Sequence, residues 1–284
     1  MEKSSSADGK RSIRRWPVAV FGVSLLAALV LGWGADRQPV NSNQPVQWIE
    51  PRNVQISQGE TLRIASYNIH GGKGTDQRRD LTRIAADLEE VDFAGLFEVR
   101  ATPVGSFPDQ AAELGSQLGM RSAFLGTERR WWHDHFGNAV LTRRTVNSLQ
   151  RIPLPGTRGK AYRQAILIGV PLQGETVRVL MAHIDREQDR APQLQAVIEL
   201  FRGLQSPAVL MGDLNSGPDD PAIQSLLKDA GVDSVIHSRA GATAPQGNID
   251  WLFVRGLDCL SADYLASGAS DHPVLKAEVR LQSR

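Results

Sequence analysis

The sequence predicts a layered α/β domain, on three observations. Short apolar runs alternate with helical stripes from Thr61 onward, with no internal repeat. The apolar fraction, 41% of 284 residues, is enough for one sizeable core or at most two small ones. Polar residues able to do chemistry recur where the apolar runs stop. Examples are Gly212-Asp213-Leu214-Asn215 behind Ala208 to Met211, and Ser270-Asp271-His272 before a last strand.

Taken in order, Leu62 to Tyr67 reads as a strand. Asp76 to Glu90 carries Leu81, Ile84, Ala85 and Leu88 at helical spacing behind a Thr75/Asp76 cap. Val91 to Val99 reads as a buried strand and Pro108 to Leu118 as a helix. Phe136 to Leu141, Ala161 to Val170 and Thr176 to Ile184 read as strands, the last two joined through Gln173-Gly174. Gln188 to Leu204 reads as a helix with Leu194, Val197, Ile198 and Phe201 facing inward. Val209 to Met211 is a strand, Pro221 to Leu227 a helix, and Ile249 to Val254 and Val274 to Leu281 are closing strands.

The N-terminal sixty residues have a different character. Residues 1–15 form a polar, basic tail with Lys3, Lys10, Arg11, Arg14 and Arg15. Residues 16–35 carry no charge, with Trp16 and Trp33 near the ends. A helix of that length at 1.5 Å rise spans roughly 30 Å, about a bilayer core. The positive-inside bias keeps the tail cytoplasmic and exports the chain from residue 36 onward. This predicts a single-pass inner-membrane protein with its folded domain on the extracytoplasmic side. The alternative is a signal segment that is cleaved, leaving a secreted domain. Residues 36–60, rich in Gln, Asn and Pro, read as a linker, and residues 61–284 as the domain.

Composition excludes several classes. Cys259 is the only cysteine, so neither an intrachain disulfide nor a Cys₄ zinc site can form. A net charge of +1 gives no global field toward nucleic acid. The glycines after Asn68 lack the spacing of a phosphate-binding loop.

What remains is a set of polar residues at strand ends: Tyr67-Asn68, Glu98-Val99, Ala182-His183, Gly212-Asp213-Leu214-Asn215, Ile249-Asp250 and Ser270-Asp271-His272. In a layered sheet such residues converge at one edge. Carboxylates, imidazoles and carboxamides gathered there are the parts needed for metal-assisted hydrolysis of a phosphate ester. Together with Gly137-Asn138-Ala139-Val140-Leu141, these motifs stand in the order found in the endonuclease/exonuclease/phosphatase superfamily, which the chain resembles over residues 61–281. The resemblance implies the deoxyribonuclease I-like fold, a four-layer α/β sandwich of two packed mixed β-sheets flanked by helices.

The same resemblance implies roles. Glu98 is the main metal carboxylate, with Asn68 and Asp271 beside the same ion. Asp213 orients and deprotonates the attacking water, helped by Asn215. His183 and His272 contact the scissile phosphate, and Asp250 holds His272. Arg163 and Asn138 fall on substrate-binding positions, with Arg158 and Lys160 adding to the same edge. His70 and His237 read as rim and surface residues. An oxygen-rich ligand set without cysteine suits Mg²⁺, with Mn²⁺ as the alternative. The acidic residue that supports the first histidine in some nuclease members has no evident counterpart.

Three functions compete. The first is a membrane-tethered phosphodiesterase or phosphomonoesterase acting on a lipid headgroup or small phosphoester. The second is an extracytoplasmic nuclease for DNA or RNA, and the third a catalytically silent binding module. The Arg129 to His135 loop, with Trp131 and Trp132, suits either base stacking or a bilayer headgroup region. Oligomeric state is not legible.

Overall fold

Strands that read as unbroken apolar runs are the ones buried on both faces, and they lie at the centres of two sheets. The computed structural model describes residues 22–29, 38–101, 109–129, 135–156, 161–235 and 247–283. The basic tail, most of the 16–35 segment, Trp131, Trp132, Arg158, Lys160 and His237 lie outside the described residues.

The elements run α1 (residues 22–29), β1 (Gln38–Pro39), β2 (Thr61–Asn68), a 3-10 turn (His70–Gly72), α2 (Leu81–Asp87) and β3 (Phe93–Ala101). Then come α3 (Gln110–Leu118), β4 (Arg121–Gly126), β5 (Glu128–Arg129), β6 (His135–Thr142), β7 (Ser148–Pro153), β8 (Gln164–Leu172) and β9 (Glu175–His183). The last part holds α4 (Arg190–Gly203), β10 (Ala208–Asp213), α5 (Pro221–Leu226), β11 (Val232–Ser234), β12 (Asp250–Arg255), β13 (Leu257–Leu265) and β14 (Val274–Leu281).

One sheet has the order β13-β14-β2-β3-β6-β4 and the other β11-β12-β10-β9-β8-β7; β1 and β5 make a small ribbon. Both large sheets are mixed. The pairs β2/β3 and β9/β10 are parallel, joined through α2 and α4, and the neighbouring pairs are antiparallel. The inner faces interdigitate through Leu62, Ile64, Phe93 and Phe97 on one side and Ile166, Val179, Met181 and Met211 on the other. Outside, Ile84, Leu88, Leu114 and Leu118 of the α2/α3 layer pack on Tyr67, Leu96 and Leu141. Leu194, Val197, Ile198, Phe201 and Ile223 pack on Leu180, Leu210 and Trp251 on the opposite side. These make the helix–sheet–sheet–helix layers. Burying each such large apolar side chain is worth roughly 1.5–3 kcal/mol, so three contiguous clusters hold the strand ends in place.

Several expectations need correction. The first helix starts at Asp80, whose Oδ1 accepts the Thr82 N–H at 2.9 Å, and not at Thr75/Asp76. Asp76 instead turns the chain back by accepting the Arg78 N–H, a local Asx bond that competes with helix. Glu98 lies inside β3 rather than at its end. The strands β1, β4, β5, β7, β11 and β13 are additional to those read from sequence. β7 (Ser-Leu-Gln-Arg-Ile-Pro) and β13 are sheet-edge strands with solvated faces, and β13 breaks its alternation at an irregularity between Cys259 and Ser261. The Gln173-Gly174 link holds: both residues have positive φ, 48° and 83°, as a two-residue hairpin turn needs. In α1, Val23, Leu25, Leu26 and Leu29 are exposed. No helix among the described residues is long and apolar enough to cross a membrane.

Gly212 delivers Asp213 to the sheet edge. Its φ is 152°, and a Cβ there would stand 1.8 Å from the Ala182 carbonyl oxygen on β9. Both the conformation and the close approach demand glycine. Gly212→Ala is expected to destabilise the fold by about 2 kcal/mol or more, measured as a lowered denaturant midpoint; an unchanged midpoint would show that β9 and β10 can part there without cost.

Candidate active site

Six elements end or bend at one edge of the sandwich. β2 delivers Asn68, β9 His183, β10 Asp213, and the start of β12 Asp250; the turn before β14 carries Asp271 and His272. Glu98 arrives differently. It has φ 56°, and the β3/β6 register shifts between Leu96 and Val99, so Phe97 and Glu98 form a bulge. The bulge turns a carboxylate out of a strand whose neighbours Phe97 and Val99 are fully buried. Glu98, Arg163, His183, Asp213, Asp271 and His272 line one cavity of about 360 Å³.

Its centre is Asp213, buried at 2% exposure. Asp213 Oδ2 accepts from Asn68 Nδ2 at 3.0 Å and lies 3.4 Å from His183 Nε2 and 3.9 Å from His272 Nε2. Its Oδ1 accepts the Asn215 N–H at 3.0 Å. Asn215, at φ 44°, donates its amide to the Ile184 carbonyl at 3.0 Å. Burial, reinforced by the charge of Asp250, pushes the Asp213 carboxyl up to about 7, against the opposing pull of His272 and the Asn68 bond.

The two histidines are driven apart. His272 Nδ1 is 2.8 Å from Asp250 Oδ2. Burial alone would lower its pKa, but the Asp250 hydrogen bond and charge outweigh burial and raise it to about 9. His183 is held well below 6.5 by burial first, then by the charges of Arg163 and His272. Arg163 Nη1 lies 2.9 Å from His183 Nδ1. At the position flanking the first histidine, therefore, this chain has a guanidinium rather than an acid.

The oxygen donors that could hold a hard cation are Glu98 and Asp271. Glu98 makes no ion pair with Lys or Arg among the described residues; its Oε1 is 3.3 Å from Asn68 Nδ2 and 3.9 Å from His183 Nε2. Asp271 is half exposed and 3.2 Å from His70 Nδ1, without an aligned hydrogen bond. Two carboxylates on an open cavity, with room for water, fit the way Mg²⁺ is held. Asn68 stands beside Glu98 as expected, but it faces the carboxylates with its amide nitrogen while its oxygen accepts the His70 N–H at 3.1 Å. In this arrangement its amide nitrogen bridges Glu98 and Asp213. Asp213, Asp250 and His272 also offer ligand atoms within 4.8 Å of one another. There Asp250 Oδ2 and His272 Nδ1 already meet each other at 2.8 Å.

Asn138 departs from expectation. It is 2% exposed, opposite the bulge on β6, and does not line the cavity; its Nδ2 has no hydrogen-bond partner. Strand alternation puts it on the same face as Val140 of the inter-sheet core. Conversely, Asp185, Arg186, Glu187 and Gln188 line the cavity, although no sequence motif marks them. A signal for them does exist: they leave the same strand end as His183. Asp185 accepts the Glu187 and Asp189 N–H groups at 3.1 and 3.2 Å, which sets that wall.

A family model described as "Endonuclease/Exonuclease/phosphatase family" matches residues 65–272. The chain belongs to this family. Among solved structures, an endonuclease/exonuclease/phosphatase from Beutenbergia cavernae aligns with a TM-score of 0.61 at 24% identity, over 79% of this chain and 72% of that one. The human Nocturnin catalytic domain with bound sulfate aligns at 0.60 and 18% identity, over 86% and 99%. A mannosyl-6-phosphatase from Bacteroides thetaiotaomicron aligns at 0.59 and 17%, over 77% and 99%. At these identities the likeness shows a shared fold. Among curated proteins none matches the chain.

The His272 pKa carries a linkage prediction. A histidine raised from 6.5 to about 9 contributes stability that is fully present below pH 6.5 and is lost as pH rises through about 9. Asp250→Asn is expected to lower the His272 pKa and flatten that alkaline loss of stability, read by NMR titration and by unfolding at several pH values. A His272 still titrating near 9 would remove Asp250 as the cause.

Proposed function

We propose that this chain is a metal-dependent phosphoesterase, anchored in the inner membrane, that hydrolyses a small phosphoester or lipid headgroup outside the cytoplasm. The observation that carries this reading is the convergence on one cavity of Glu98, Asp213, Asp271, His183 and a His272 ring held by Asp250 at 2.8 Å. Burial raises the Asp213 carboxyl, and the Asp250 bond and charge outweigh burial to raise the His272 imidazole, which suits the first to accept a proton at neutral pH and the second to be cationic there. A divalent cation bound at Glu98 and Asp271, Mg²⁺ or Mn²⁺, would offset the negative charge of the phosphoryl oxygens. Asp213 takes a proton from the attacking water, with Asn215 fixing its Oδ1. His272, charged and held by Asp250, stabilises the charge that grows on the phosphoryl oxygens. His183 and Arg163 donate hydrogen bonds on the opposite side of the same phosphate.

Charge favours a small substrate over nucleic acid. The described lining carries Glu98, Asp185, Glu187, Asp213 and Asp271 against Arg163 and Arg186. A duplex binder neutralises many phosphates with clustered Lys and Arg, and Arg163 and Arg186 are the only Lys or Arg side chains in the described lining. One structural neighbour is a mannosyl-6-phosphatase, which keeps monoesters within the reading. Glu98→Gln and His272→Ala are each expected to lower hydrolysis by about 10²–10⁴-fold, and a chelator to abolish it, with activity on anionic phospholipid vesicles or small phosphoesters exceeding that on plasmid DNA. Plasmid nicking with inert vesicles and small esters would make the chain a nuclease, and no hydrolysis of any of them would leave a binding module.

The membrane reading rests on the uncharged 16–35 segment and on α1 within it, whose Val23, Leu25, Leu26 and Leu29 are exposed. Lipid is the environment such a surface suits. A reporter fused after residue 60 is expected to be active only outside the cytoplasm; cytoplasmic activity would refute export.

A further inference from the structure

The His183 imidazole has a partner at each nitrogen: Arg163 Nη1 at 2.9 Å from Nδ1, and Asp213 Oδ2 at 3.4 Å from Nε2. A guanidinium has only N–H donors and keeps its proton in proteins. The 2.9 Å contact therefore needs a lone pair on Nδ1, and a neutral ring then carries its single hydrogen on Nε2, on the side of Asp213. The surroundings hold both partners. Phe97 meets the imidazole edge-on with centroids 6.3 Å apart, and Phe136 lies 6.2 Å away. The same Phe136 ring carries the Arg163 guanidinium at 5.7 Å. His183 is 3% exposed, at the wall of the cavity.

His272 is the mirror case, with a carboxylate in place of the guanidinium at Nδ1. We infer that Arg163 is a positioning residue that sets the tautomer of His183, so that His183 presents an Nε2–H donor to the site. This deepens the phosphoesterase reading and rests on it for its catalytic meaning: His183 supplies direction. Nη1 is committed to the imidazole, leaving the remaining guanidinium donors for a phosphate.

The test is a long-range ¹H–¹⁵N correlation spectrum of the full-length protein labelled with ¹⁵N-histidine, at neutral pH and without substrate. The chain has six histidines, and His183→Gln assigns the signal. The expected wild-type pattern is one Nε2–H tautomer with a bare Nδ1. Arg163→Met is expected to lose that single-tautomer pattern, giving averaged or protonated signals, while the other five histidines keep theirs. A wild-type His183 protonated at Nδ1 would overturn the inference, as would an unchanged tautomer in Arg163→Met. If that variant does not fold, the wild-type spectrum still decides. Because no turnover is involved, a chain that hydrolyses nothing would sink the phosphoesterase reading and leave this result standing.

Discussion

Two polar contacts within the site cross from one sheet to the other, and the site is organised around them. Asn68 on β2 donates to Asp213 on β10, and His272, just ahead of β14, meets Asp250 on β12. Each contact joins residues from different sheets, so neither exists unless the two inner faces pack in register. Packing of Phe93, Phe97, Met181 and Met211 is therefore a condition for chemistry as well as for stability. An unpartnered buried carboxylate or imidazole costs more than an apolar replacement would, which makes these cross-sheet pairs sensitive to any relative shift of the layers.

Environment then differentiates like groups. Asp213 and Asp250 are both buried carboxyls, yet Asp250 has an imidazole at hydrogen-bond distance and Asp213 has amide donors and two more distant rings. His183 and His272 are both imidazoles, yet one faces a guanidinium and the other a carboxylate. Residue type alone would assign the pairs identical roles. The partner at the far nitrogen or oxygen separates them.

Much of the fold and the site is legible in the sequence because strand ends and motif order are one-dimensional signals. β2, β9, β10, β12 and β14 announce themselves as apolar runs, and the residues that close or open them are the ones that meet in space. The illegible part depends on direction. Motif position brings Asn68 to Glu98 and Asp213, but which end of its amide faces them is not encoded there. The motif around Asn138 points to the pocket, but alternation turns the residue into the inter-sheet core. Arg163 sits where a phosphate contact is expected, and its bond to His183 depends on rotamers that no spacing encodes. Edge strands such as β7 and β13 escape a search for apolar runs because a half-solvated strand need not be apolar.

The bulge in β3 has a consequence for how the site could be lost. Regular pairing of β3 with β6 would return Glu98 to the alternation of its neighbours, and its left-handed backbone is disfavoured for any side chain but glycine. Sheet regularity and the presentation of Glu98 to the cavity thus pull this segment in opposite directions. Shortening β3 by one residue would mend the ladder and withdraw the carboxylate in the same stroke. The chain keeps an acidic wall of its cavity as a fault in its own architecture.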